Sequence, residues 1–223
     1  MNKILTIAKK DLKVEFRTRH TINFMFLFAF ITLLMFSYIS GVYIPSAPEI
    51  GPGLLWLVLI FTGILGLSRA FIREKELGTL EGMKLSPVGS SAILLGKSIY
   101  NLALMLLIQT ISFPLFIVLF NFPIKGSITF AFLLLTLGNF GFVIVTSAMA
   151  ALVMNAKARE LLLPVILFPI LFPIIVTSVL ALTKVLVDGA TFTNTTREVK
   201  IILAYTIAMA IVALLTFEYV LEE

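Results

Sequence analysis

The residues able to do chemistry in this chain are few, and their spacing argues against catalysis. His20 is the only histidine. It sits beside Arg19 at the head of an apolar run, where a lone imidazole reads as a boundary residue rather than a metal or haem ligand. The chain has no cysteine, which removes disulfides, thiolate zinc sites, iron–sulfur clusters and a cysteine nucleophile together. Gly96-Lys97-Ser98 resembles the end of a phosphate-binding loop. That loop needs a glycine five residues earlier, where this chain has Ser91, and an apolar span rather than a strand surrounds the tripeptide. With no nucleotide-hydrolysing motif, any ATP-driven step must take its engine from another chain. No catalytic residue, metal site or bound cofactor is expected.

The most informative pattern is Arg69-Ala-Phe-Ile-Arg-Glu-Lys-Glu-Leu-Gly-Thr-Leu-Glu-Gly-Met-Lys-Leu-Ser-Pro87. Its charges alternate in sign while Leu77, Leu80, Met83 and Leu85 recur at mostly three-residue intervals, which predicts a short amphipathic helix before Pro87 stops it. Such a helix offers apolar knobs and mixed charge to a partner; on charge pattern alone, a solvated loop is the alternative.

The elements around this loop follow from composition. Of 223 residues, 60% are hydrophobic and 13% charged, with a mean hydropathy of +1.09, far from a soluble globular domain. A hydrocarbon core about 30 Å thick takes roughly 20 apolar residues per helical crossing. Six segments approach or exceed that length: 21–44, 50–68, 91–120, 128–155, 161–183 and 201–217. The reading is an all-α membrane protein, one transmembrane domain over 1–223, with 69–90 as the loop between spans two and three.

Thirteen of the seventeen lysines and arginines fall on one set of loops and four on the other, Lys125, Lys184, Arg197 and Lys200. By the positive-inside bias, both termini and the loops after spans two and four are expected in the cytoplasm. The net charge of +5 clusters beside spans with no basic, aromatic-interleaved face, so nucleic acid is not an expected partner. Residues 1–20 place Ile4, Leu5, Ala8, Leu12 and Phe16 at helical spacing among Lys3, Lys9, Lys10, Lys13 and Arg17, an interfacial helix on the bilayer surface. No small-residue cleavage site follows, and the first span is expected to be retained.

Asn101, Gln109 and Asn139 lie within spans, where polar groups need partners; interhelical hydrogen bonds are their expected role. No acidic residue lies deep in a span, which disfavours a proton- or sodium-coupled carrier. Pro114, Pro164, Pro169 and Pro173 are expected to kink spans three and five, the latter against protein or a cavity. Tyr43 to Gly53, rich in Pro and Gly, is expected to be a tight connection, with Trp56 anchoring at interfacial depth. Asn194-Thr195-Thr196 matches a glycosylation pattern and is read as chance.

The loop wording Arg-Glu-Lys-Glu-Leu-Gly-Thr-Leu-Glu followed by Leu-Ser-Pro resembles the signature loop of ABC-2-like exporter permeases. More narrowly, Gly51-Pro-Gly-Leu-Leu-Trp56, Arg69-x-x-x-Arg73, Gly78-Thr-Leu-Glu81, Leu85-Ser-Pro87 and Ala92-Ile-Leu-Leu-Gly-Lys97 are similar to the haem exporter protein B family, the cytochrome c maturation protein B. The resemblance implies a permease subunit in the inner membrane that pairs with a separate ATPase through a coupling helix. ATP would bind on that partner, and haem would be the substrate. It further implies work with a haem-binding membrane protein and a periplasmic haem chaperone, and leaves open whether haem itself or chaperone release is driven. On that footing the docking residues are Arg69, Arg73, Glu74, Glu76, Leu77, Gly78, Thr79, Leu80, Glu81 and Met83. Leu77, Leu80 and Met83 would fill a groove, the charges would set orientation, and Gly78 would permit a tight turn. Paired ATPase subunits and six spans per chain make a homodimer the expected assembly. An ABC-2-like exporter of a lipid, drug or polysaccharide and a non-transporting scaffold are the competing classes.

Overall fold

The structure, a computed structural model, describes residues 3–43, 47–67, 88–153 and 159–222, together with Gly78, Gly82 and Ala156. The described residues form seven helices and no strand: α1 Lys3–Thr18, α2 His20–Tyr43, α3 Ala47–Leu67, α4 Ser90–Leu119, α5 Ile128–Val153, α6 Arg159–Leu186 and α7 Phe192–Glu222. Six of them, α2 to α7, are long and apolar enough to cross a membrane. In lipid a backbone must satisfy its own polar groups, and a helix does so within one segment.

The helices pack as a bundle around α3 and α5. α5 lies against α6 and α7, α4 joins α5, α2 lies on α3 and α4, and α1 lies along α4. α3 is the most enclosed span, with Leu55, Val58, Leu59 and Leu67 fully buried. α2 and α7 are the most outward, turning Leu27, Met35, Ile207 and Leu215 away from the bundle, as lipid-facing surfaces do.

Small residues set the closest approaches. A Cβ at Gly138 of α5 would stand 2.5 Å from the Trp56 ring on α3 and 2.6 Å from the Ser178 hydroxyl on α6. Gly138→Ala should therefore overpack a three-helix junction and cost about 1–3 kcal/mol. Equilibrium unfolding in mixed micelles measures it, and a neutral result would mean that the junction is looser than this packing.

Three expectations change. Helix α3 begins at Ala47, so Pro48, Gly51, Pro52 and Gly53 form its first turns instead of a connection. Pro48 lies in the first turn, where N–H groups lack intrahelical partners anyway, the helix runs on through Pro52, and a Cβ at Gly51 would press on Phe122 and Phe116. Trp56 is 1% exposed and packs against α5 and α6, so the indole is a core residue and not an interfacial anchor. Lastly, α7 starts at Phe192, well before 201, and α6 runs to Leu186; Lys184 and Glu198 join these extensions by an ion pair of 2.8 Å.

The prolines lie inside helices that run on past them: α4 continues beyond Pro114 to Leu119, and α6 contains Pro164, Pro169 and Pro173. Leu163, Leu167, Leu171, Ile174 and Ser178 make the buried stripe of α6. Pro169 is exposed, and Pro164 and Pro173 are half-buried, so the prolines flank that stripe instead of filling it. The Tyr205 hydroxyl of α7 donates to the Ile170 carbonyl at 2.7 Å, and Thr177 donates to the Pro173 carbonyl at 2.7 Å.

Candidate functional site

The polar groups of the bundle gather on α4 and on what packs against it. Toward the middle of the span, Gln109 bridges to α5 in three ways. Its side-chain N–H group donates to Thr136 Oγ1 at 2.9 Å and to the Phe132 carbonyl at 3.2 Å, and its oxygen accepts from Asn139 Nδ2 at 2.5 Å. Two turns nearer the start of α4, Asn101 Nδ2 donates to Ser147 Oγ at 2.9 Å. Asn101, Gln109, Asn139 and Ser147 are all fully buried. A polar residue in a span is costly until paired, and each of these pairs joins α4 to α5. Gln109→Leu should strand the Asn139 amide and destabilise the bundle by about 1–3 kcal/mol. Gln109→Leu/Asn139→Leu should recover most of that, and a double-mutant cycle by equilibrium unfolding tests the coupling.

The start of α4 meets α1. Lys97 is 2% exposed and reaches Asp11 Oδ2 of α1 at 2.9 Å; Lys10 stands 3.3 Å from Asp11 Oδ1. One turn along α1, Glu15 is 1% exposed. Its carboxylate accepts from the backbone N–H of Thr21 at 2.6 Å and of Ile22 at 3.1 Å, and from Thr21 Oγ1 at 2.9 Å. Glu15 thus caps the N-terminus of α2 from the preceding helix, meeting orphan donors with the sign of charge that end favours. Tyr100 of α4 completes the set, its hydroxyl lying 3.4 Å from Glu15 Oε2. Between the helices, a Cβ at Gly96 would be 2.8 Å from Ile7 Cβ and 3.1 Å from the Ile4 carbonyl, so glycine there lets the backbones close together. The turn between α1 and α2 passes through Arg19 in the left-handed region, φ 55°.

The inner face of α1 therefore differs from the stripe expected of it. Ala8 and Glu15 are buried and Ile7 and Leu12 half-buried, while Leu5 and Phe16 are 56% and 51% exposed. One side of the helix carries the two acids against α4, and around the exposed remainder Leu5, Phe16, Lys9, Lys13 and Arg17 follow one another. His20 is exposed at the start of α2.

Of the residues expected to dock an ATPase, Gly78 is described: it is exposed, with φ +68° and open space where a Cβ would lie, a backbone state suited to glycine. Arg69, Arg73, Glu74, Glu76, Leu77, Thr79, Leu80, Glu81 and Met83, and with them the expected coupling helix, lie outside the described residues. That segment leads directly into α4, which begins at Ser90.

A family model described as CcmB protein matches residues 2–222. The chain belongs to the CcmB protein family. One relative is heme exporter protein B of Rhodobacter capsulatus, 25% identical over 177 residues, which are 76% of this chain and 78% of the relative. In this CcmB family member, Asp11, Glu15 and Tyr100 escaped the sequence reading. A usable signal was present. Asp11 and Glu15 are one turn apart in an otherwise basic helix, and Lys97 is the only charge in its span, so a buried lysine and two unexplained acids were available to one another.

Proposed function

We propose that this chain is the membrane subunit of an ABC transporter that serves haem delivery in cytochrome c maturation. The match to the CcmB family over nearly the whole chain carries the reading, and the name of the Rhodobacter relative supports haem as the substrate. ATP hydrolysis belongs to a separate subunit, because no phosphate-binding loop is present in the sequence. The loop 69–87 docks on that ATPase, with Leu77, Leu80 and Met83 in a groove and the flanking charges fixing its angle. Two copies of the chain form the membrane part, since paired ATPase subunits need two such loops. The chain resides in the inner membrane with both termini cytoplasmic, as the distribution of lysine and arginine favours. A haem-binding membrane protein and a periplasmic haem chaperone work with the complex.

Affinity purification of the tagged protein from solubilised native membranes tests this. The expected result is a small ATPase together with haem-binding maturation proteins, and loss of holo-cytochrome c when the gene is deleted. Recovery of an ATPase alone, with holo-cytochrome c unaffected by deletion, would move the assignment to an exporter of another substrate.

A further inference from the structure

A buried ion pair and a buried, multiply bonded carboxylate at one helix crossing call for an explanation beyond anchoring. An interfacial helix needs an apolar stripe and basic flanks to stay on a bilayer, not two acids turned inward. Lys97 and Asp11 are 2% and 9% exposed, so separating them in place would leave two charges uncompensated. Glu15 simultaneously holds the first N–H groups of α2 and faces Tyr100 of α4. Gly96 brings Ile7 and the backbone of α1 into direct contact with α4. The four polar residues thus tie three helices at one point, and α4 is the helix that leaves the loop 69–87.

We propose that Asp11, Glu15, Lys97 and Tyr100 are positioning residues that clasp α1 and the first turn of α2 to α4, so that the three move as one body when the loop ahead of α4 is displaced. The inference rests on the reading that this loop docks on an ATPase. A push at the loop then reaches α4 directly and is handed to the first span through α1, without passing through the middle of the bundle. Glu15 is the pivot, since it alone bonds the elbow between α1 and α2 as well as the α4 side. Residues on α4 below this crossing, Asn101 and Gln109, carry the same displacement to α5.

The chain has no cysteine, so labels can be placed on it at chosen positions. In the full complex in nanodiscs, assembled with an excess of unlabelled chain so that each complex holds at most one labelled copy, spin labels at Lys9→Cys and Ile99→Cys, both exposed, should give one narrow distance unchanged by ATP. The same labels in Glu15→Gln should give a broadened distribution. A wild-type distance that changes with ATP would overturn the proposal. In cells, Asp11→Cys/Lys97→Cys should lower holo-cytochrome c about tenfold, the scale of a modest coupling free energy, while the ATPase still co-purifies. More ATP should be hydrolysed per holo-cytochrome formed. Asp11→Lys/Lys97→Asp, which rebuilds the pair with its charges exchanged, should restore the output. Full output from the double-cysteine protein, or no recovery with the exchanged pair, would mean that α1 and α4 act independently of this pair. Should no ATPase co-purify even with the wild-type chain, the docking reading fails, whereas the Glu15→Gln distance still decides whether the clasp exists.

Discussion

Lys97→Met should cost the folded protein about 3–5 kcal/mol, the range for removing one partner of a buried ion pair. The loss arises from Asp11, which would remain 9% exposed with Lys10 as its nearest remaining cation. Lys10 is no substitute, because its side chain is 49% exposed and its contact of 3.3 Å is longer. Asp11→Asn should be milder than Lys97→Met, since asparagine can accept a hydrogen bond from the lysine while leaving the charge uncompensated. Asp11→Leu/Lys97→Met should recover part of that loss, because an apolar pair replaces charges whose desolvation offsets much of their attraction. The single tryptophan, Trp56, is fully buried, and its emission during unfolding in mixed micelles reads all three variants. A Lys97→Met protein as stable as wild type would show that the pair is hydrated and contributes little.

Replacing Leu77, Leu80 and Met83 together by aspartate should reduce recovery of the ATPase by a hundredfold or more, on the order expected when several central apolar contacts are lost at once. Thermal unfolding of the membrane subunit alone checks that the loss lies in association and not in its own fold. Arg73→Glu is the graded companion: a single charge at the edge of such a contact alters association rate and salt dependence more than final affinity. Co-purification at low and high salt separates the two effects. Undiminished ATPase recovery by the triple variant would move the docking surface elsewhere, with the basic outer face of α1 as the next place to look.

Six apolar segments without internal acids can be counted directly, because the bilayer imposes one length on every crossing and one backbone conformation that satisfies itself. The family was legible from short runs such as Gly78-Thr-Leu-Glu81 and Leu85-Ser-Pro87, which need no packing to be recognised. Residues 47–53 were harder. Proline and glycine mark turns when the chain is read alone, yet Pro48 sits in a first turn that can accept it, the helix continues through Pro52, and Gly51 is held against Phe122. Trp56 failed for a related reason: an indole near a span end suits the headgroup region, and only the vacancy left by Gly138 on a distant helix draws it inward.

Sequence alone thus determined what the solvent dictates: an all-α, multi-pass membrane chain, its number of crossings, the lack of a nucleotide motif, and the family. Tertiary structure decided which polar residues meet. Asp11 and Lys97 are far apart in sequence, and periodicity reports only that each lies on a given face of its own helix, not which helix faces it. The pairing was settled by the close approach at Gly96 and the left-handed turn at Arg19, which together fold α1 back along α4 and bury charges that composition would have assigned to the surface.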